Sequence, residues 1–192
     1  MVKSNLKKKK TSKNLLLGIT ASIAAYKACE LVRIFRKAGY SVRCVMSKDA
    51  EQFVTSLTFE TLSGKKTISH MFARPENLDP VHISLAEESD LVLIAPATAD
   101  TISKIAAGIC DDILTCTVCA VRNKPVIFAP AMNDGMYLNP IVQDKIAYLK
   151  EKGYHFIAPV EGRLASGKQG IGHLAPLEEI FKQTEKIFSG TK

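Results

Sequence analysis

No apolar run in the 192 residues approaches the roughly 18–20 needed to cross a bilayer. The amino-terminal lysines are not followed by an apolar segment with a small-residue cleavage site, and residues 15–25 are interrupted by Gly, Thr and Ser. The chain therefore reads as cytoplasmic, with no membrane partner. Acidic residues are missing before Glu30, so Lys3, Lys7, Lys8, Lys9, Lys10 and Lys13 carry six of the seven units of net positive charge. About +1 is left for the body from Asn14 onward. The basicity is thus a tail, residues 1–13, expected to be a disordered solvated arm. Nowhere does the body interleave aromatic and basic residues as a nucleic-acid reading surface would, so no nucleic-acid partner is expected.

Cysteine usage excludes further classes. Cys29, Cys44, Cys110, Cys116 and Cys119 are odd in number and lie in apolar contexts, which suits free thiols in a reducing compartment. Cys116-Thr-Val-Cys119 lacks the second Cys or His pair that a zinc site needs, so no metal is expected. It falls mid-helix, which disfavours a thioredoxin-like redox pair. The dinucleotide fingerprint G-x-G-x-x-G is also missing.

What is present is a regular alternation. Apolar runs at 14–19, 42–46, 91–95, 125–129 and 155–158 read as buried strands. Helical stretches separate them. The first reaches about Ala38, with Ile23, Leu31, Ile34 and Phe35 at helical spacing, and Gly39 closes it. Residues 65–85, with Pro75 and Pro80, read as a long irregular connection. The fold implied is α/β: a single-domain Rossmann-like (flavodoxin-like) doubly wound parallel sheet over residues 14–192, with helices on both faces.

Ligands of open α/β sheets bind outside the carboxyl ends of the strands. Residues just past the apolar runs are therefore the candidates. Gly18-Ile-Thr20-Ala-Ser22 follows the first strand, and its N–H groups and hydroxyls suit a mononucleotide phosphate. They equally suit simple helix capping. Ser47 stands past the second strand. Pro96-Ala97-Thr98-Ala99-Asp100-Thr101 follows the third, small enough for a flat ring or phosphate to approach closely. The plain alternative is a helix start capped by Asp100 or Thr101. Past the fourth strand comes Pro130-Ala131-Met132-Asn133-Asp134-Gly135-Met136-Tyr137. Asn133 offers an amide donor and a carbonyl acceptor there, flanked by soft apolar Met132 and Met136. It serves equally well as a helix cap. His82 has the chemistry of an acid or base near neutral pH, though a lone His is more often structural. The glycine-rich run 162–172 reads as a mobile lid or a surface loop, with Arg163 and Lys168 supplying charge for an anionic substrate.

Taken together, His82, the 96–101 turn and the 130–137 stretch resemble the homo-oligomeric flavin-containing Cys decarboxylases. The family's corresponding stretches read P-A-S-A-N-T and P-x-M-N-x-x-M-W. Gly108-Ile-Cys-Asp-Asp-Ile-Leu-Thr and the glycine-rich run, similar to the family's substrate clamp, extend the resemblance from Leu15 to about Ile187. It implies a non-covalent FMN with its phosphate near Gly18, Thr20, Ser22 and Ser47. Phe53, Pro96, Ala97, Thr98, Ala99 and Thr101 would flank the cofactor, and Ala131 would lie near its ring. His82 would be the base. Asn133 would hold the substrate carboxylate, Met136 would shape the pocket, and Ala165, Ser166, Gly167 and Lys168 would belong to the clamp.

The activity implied is FMN-dependent decarboxylation of 4′-phosphopantothenoylcysteine to 4′-phosphopantetheine, through thioaldehyde and enethiol. Alternatives within the resemblance are a peptidyl-cysteine decarboxylase, a flavin prenyltransferase-like enzyme and a non-catalytic FMN-binding regulator. Members assemble as trimers, or as dodecamers built of trimers, with sites at subunit contacts. Three positions depart from the pattern. Asp100 replaces Asn, Tyr137 replaces Trp, and Ser166 stands where the clamp Cys donates the last proton. A hydroxyl is a far weaker acid than a thiol.

Overall fold

The structure is a computed structural model describing residues 13–72, 80–165 and 167–190. The strands β1 (Asn14–Ile19), β2 (Ser41–Met46), β3 (Leu91–Ala97), β4 (Val126–Pro130) and β5 (His155–Phe156) form one sheet, ordered β2-β1-β3-β4-β5. All its pairings are parallel. Successive strand residues face opposite sides. Leu15, Leu17 and Ile19 thus enter one core cluster and Leu16 the other. Both faces are apolar because both are covered. Helices α1 (Lys27–Lys37), α2 (Ser56–Ser63) and α8 (Leu177–Gly190) lie on one face. Helices α3 (Val81–Glu88), α4 (Ala99–Ala107), α5 (Ile113–Ala120) and α7 (Pro140–Glu151) lie on the other. This is the doubly wound α/β sheet that the apolar runs imply. Among the described residues no helix is long and apolar enough to cross a membrane.

Helix α1 shows how local pattern becomes packing. Ala28, Leu31, Val32 and Phe35 recur at i, i+3, i+4 and i+7, and all four are buried. Gly39, at φ +89°, turns the chain beyond it. Ile23, expected inside this helix, instead lies in a separate 3-10 turn (Ile23–Tyr26) and is 59% exposed. Lys13, assigned above to the tail, belongs to the body. Its Nζ pairs with Glu185 at 3.1 Å, and its carbonyl accepts from Ser41 N–H at 2.9 Å. The rest of the expected tail, Pro75 and Ser166 lie outside the described residues.

Strand β1 sits between β2 and β3, so the chain leaves β1 to one side and later returns to the other. A crevice opens at such a reversal, outside the carboxyl ends of β1 and β3. Thr20 joins those two ends. It is fully buried, and its hydroxyl donates to Pro96 O at 2.7 Å while accepting from Thr98 N–H at 3.0 Å. Farther along the edge, Ala97 pairs with Pro130, and Ala97 O accepts from Ala131 N–H at 3.0 Å. Pro130 is therefore the last residue of β4, inside the ladder, where the apolar run alone placed it just past the strand.

The glycine-rich run is a two-stranded antiparallel ladder, β6 (Val160–Arg163) with β7 (Gln169–His173), where a mobile lid or surface loop was expected. Its glycines serve close approach. A Cβ on Gly170 would lie 2.9 Å from atoms of Asp134, and one on Gly172 only 2.2 Å from Met132 O. Met132 N–H donates back to Gly172 O at 3.0 Å. The hairpin is therefore seated on the segment that follows β4.

Two substitutions test these constraints. Thr20→Val keeps the shape but strips a buried acceptor and donor from Thr98 N–H and Pro96 O, and should cost roughly 1–3 kcal/mol in denaturant unfolding. Gly172→Ala combines a φ of +139° with a backbone clash. It should destabilise by roughly 1–3 kcal/mol and accelerate hydrogen exchange at the Met132 amide; unchanged exchange there would mean the hairpin is not held by this contact.

Candidate active site

A cavity of about 750 Å3 opens where the ends of β1, β3 and β4 meet the hairpin. Its floor comes from the turn after β1 (Ala21, Ser22), from Thr98 at the start of α4 and from Ala131 past β4. Small side chains there leave room, while Ile23, Tyr26, Phe53, Met132 and Met136 supply apolar surface. The hairpin closes one side with Arg163, Leu164, Ala165, Gly172 and His173.

Asn133 has both roles considered from sequence. Its Oδ1 accepts from Gly135 N–H at 2.9 Å, capping the short helix α6 (Asp134–Tyr137). That bond fixes the orientation of the amide, since the backbone N–H must meet oxygen. The amide nitrogen is left as a donor at the cavity wall, with no hydrogen bond of its own among the described residues. A carboxylate is the natural acceptor for it.

The charges are lopsided. Among the described residues no Asp or Glu lines the cavity, whereas Lys27 and Arg163 do. Neither cation has a carboxylate partner among the described residues. Lys27 Nζ lies instead 2.9 Å from His173 Nε2. Asp100, where the family has Asn, is turned away from this space. It pairs along helix α4 with Lys104 at 3.3 Å, and Lys104 also holds Asp111 at 3.1 Å. The two ion pairs raise the Lys104 ammonium above its usual range, the Asp111 hydrogen bond contributing most.

The expected site residues separate into three groups. Ser22, Phe53, Thr98, Ala131, Asn133, Met136 and Ala165 line the cavity. Thr20, Pro96, Ala97, Ala99 and Thr101 are buried behind it and shape the turn. The Thr20 hydroxyl is spent on Pro96 and Thr98, so it is not free for a phosphate. Thr98, and not Asp100 or Thr101, caps α4, accepting from Thr101 N–H at 3.4 Å.

The third group stands apart. Gly18 accommodates helix α5: a Cβ there would lie 2.7 Å from Leu114 Cδ1. Its lack of a side chain is used for packing, not for a phosphate. Gly167 and Lys168 form the hairpin turn, where Leu164 N–H donates to Lys168 O at 2.8 Å; neither residue lines the cavity. Ser47, half-buried past β2, is not in the lining either. His82 lies in the first turn of α3 and is absent from the lining, because α3 packs through Leu85 against the opposite core cluster. Ser166 falls outside the described residues.

Sequence reasoning missed Lys27 and His173. Neither belongs to a motif: Lys27 lies between the first turn and the apolar face of the helix, and His173 follows the glycine-rich run. Nothing in the local pattern reveals that the hairpin carries His173 across to α1. All five cysteines are free. Burial pushes Cys44 up to about 12 and Cys110 up to about 11. Cys116 and Cys119 lie within α5, and among the described residues no three His, Cys, Asp or Glu gather as a metal site.

Comparison with known proteins gives the same direction. The chain is 42% identical over 91% of its length to the probable phosphopantothenoylcysteine decarboxylase of Streptococcus mutans, covering 98% of that protein. It is 39% identical over 94% of its length to the coenzyme A biosynthesis bifunctional protein CoaBC of Haemophilus influenzae, but spans only 45% of that relative. Among solved structures, a Cys-to-Ser mutant of PPC decarboxylase complexed with pantothenoylaminoethenethiol superposes with a TM-score of 0.83 at 31% identity. The match covers 93% of this chain and 99% of that one. The profile of the flavoprotein family matches residues 3–189, so the chain belongs to the flavoprotein family.

Proposed function

We propose that this protein is a cytoplasmic, FMN-dependent decarboxylase that converts 4′-phosphopantothenoylcysteine to 4′-phosphopantetheine in coenzyme A biosynthesis. The observation that carries the reading is Asn133: a capping amide whose free donor faces a cavity lined, among the described residues, by no acid and by two cations without a carboxylate partner. Such a wall accepts a carboxylate and a phosphate and rejects neither. The relatives and the PPC decarboxylase structure support the same substrate class.

The residues present fit a flavin. The cavity has the volume of a cofactor or ligand site, with small residues at its floor and apolar ones along its sides. Ser22, in the lining, and Ser47, past β2 and outside it, would be the hydroxyls for a cofactor phosphate. Ala131, Thr98 and Phe53 would hold the ring. A bound flavin supplies the electron sink that a cysteine carboxylate lacks, since carbon dioxide leaves readily once the thiol carbon is oxidised to a thioaldehyde. Asn133 would orient the departing carboxylate, and the apolar walls would exclude water.

His82 completes the site only if it comes from another copy of the chain. The cavity mouth is rimmed by Ile23, Tyr26, Phe53 and Met136, each about half exposed, an apolar edge that a second copy would cover. We place His82 of a neighbouring subunit at that mouth, within a homo-oligomer, a trimer or a dodecamer of trimers.

Ser166 bears on the product. A PPC decarboxylase carrying a Cys-to-Ser change is the one complexed with an enethiol, and this chain has Ser where the resemblance places the proton-donating Cys. Release of enethiol is therefore the second reading.

The purified protein should be yellow and should release carbon dioxide from 4′-phosphopantothenoylcysteine; a flavin-loaded sample without turnover would sink the reading. His82→Asn and Asn133→Asp should each lower kcat by 100-fold or more. Co-expressed in equal amounts, the two inactive chains should regain activity in about a quarter of the sites, as random pairing across a shared interface gives. Activity that stays at the level of either variant alone would place His82 and Asn133 in the same subunit's site. Ser166→Cys should raise the share of saturated thiol over enethiol, measured by mass spectrometry, without changing carbon dioxide release; an unchanged ratio would show that another group donates the proton.

A further inference from the structure

We propose that Lys27 and His173 form the subsite that receives the phosphate monoester of the substrate. The inference rests on the decarboxylase reading above and adds to it the residues that make the enzyme select a phosphorylated ligand.

Lys27 Nζ and His173 Nε2 are 2.9 Å apart at the cavity wall. An ammonium has donors and no acceptor, so Lys27 donates and Nε2 accepts. This places the imidazole proton on Nδ1 and leaves the ring uncharged. The lysine is thus half-buried against a neutral partner, with no carboxylate paired to it among the described residues and none in the cavity lining. A desolvated cation is stabilised by a counter-charge, and its own protein does not provide one. A phosphate monoester does. It accepts from the lysine, and from the imidazole once Nε2, released by the lysine, carries the proton.

The pair is held in place by elements that have no other need to meet. Lys27 is the first residue of α1, whereas His173 ends β7, 146 positions later. Gly162 on β6 makes room for the ring. A Cβ there would lie 3.2 Å from His173 Cγ and 3.5 Å from Nδ1, so the strand runs against the imidazole and limits its rotation. Gly172, next to His173, is tied to Met132 and through it to the Asn133 loop. One hairpin thereby sets the spacing between a carboxylate donor and a cationic pair within a single cavity. A ligand with a carboxylate at one end and a phosphate at the other matches that arrangement.

A phosphate monoester could also belong to the flavin. Its hydroxyl partners, Ser22 and Ser47, follow β1 and β2, and the Lys27–His173 pair is assigned to the substrate. The experiment has to separate these two sources. Calorimetry on flavin-loaded protein would compare 4′-phosphopantetheine with pantetheine. Wild type should favour the phosphorylated ligand by at least tenfold. Lys27→Gln and His173→Gln should each weaken it tenfold or more while leaving pantetheine and the flavin absorbance unchanged. Lys27→Arg should keep most of the preference. Variants that keep the full preference, or that lose flavin while keeping it, would overturn the assignment.

Failure of the decarboxylase reading is distinguishable. If neither pantetheine ligand binds wild type, that reading falls, and the subsite is then judged by inorganic phosphate alone. Titration should move the His173 imidazole resonances in wild type and not in Lys27→Gln. Resonances that do not move in wild type would overturn the subsite itself.

Discussion

One buried hydroxyl organises the functional edge of this molecule. Thr20 donates to Pro96 and accepts from Thr98, a combination that, among small side chains, only a hydroxyl supplies. It binds the ends of β1 and β3 at the point where strand order reverses. The remaining contacts continue from there. Ala97 holds Ala131 through its carbonyl, and Met132 donates to Gly172. A series of hydrogen bonds thus crosses from β1 to the hairpin, and the cavity lies along it. Movement of any member would shift the walls that face the ligand. The position of Asn133, immediately beyond Met132, is therefore inherited from a sheet edge several strands away.

The glycines make a related point about mechanism. From sequence, a glycine-rich run beside charged residues suggests a mobile lid. In the structure its backbone forms a ladder, and Gly162, Gly170 and Gly172 are small because a ring, a carboxylate-bearing side chain and a carbonyl lie against them. Only Gly167 and Gly172 have the positive φ that favours glycine for its conformation. Docking through close approach gives a clamp that is already in register with the loop it covers. Substrate recognition by such a clamp depends on prepared geometry, and less ordering entropy is lost when the ligand arrives.

The sheet was legible in the sequence because a strand buried on both faces leaves a continuous apolar run, and the runs at 14–19 and 91–95 mark β1 and β3 closely. The order of the turns along that edge followed from the same pattern. What a turn residue does with its side chain was less legible. Thr20 and Ser22 look alike in sequence, yet one is consumed by the backbone and the other faces the cavity. Gly18 read as part of a phosphate turn and Gly172 as part of a mobile run, yet the space at both is filled from outside. His82 stood out for its chemistry, but its place in the first turn of α3, outside the cavity lining, was not legible. Lys27 and His173 were invisible for a different reason: their proximity is created by tertiary docking of a hairpin, and no local period encodes it.

The electrostatic character of the cavity follows from where the acids were placed. The chain has 19 Asp and Glu residues, and among the described residues none lines the cavity. Asp100, the nearest by sequence to the β3 turn, is drawn outward by Lys104. Asp134, next to Asn133, lies beneath Gly170 of the hairpin instead. With negative charge kept off the walls, Lys27 and Arg163 act on the ligand without competition. Coulomb attraction at a half-buried site exceeds that in bulk water severalfold. On the proposed reading, a substrate anionic at both ends would gain at both, while an uncharged analogue would gain at neither. The same arrangement keeps the charge of Asp100, which stands where the family has Asn, off the cavity: it is paired along the helix with Lys104.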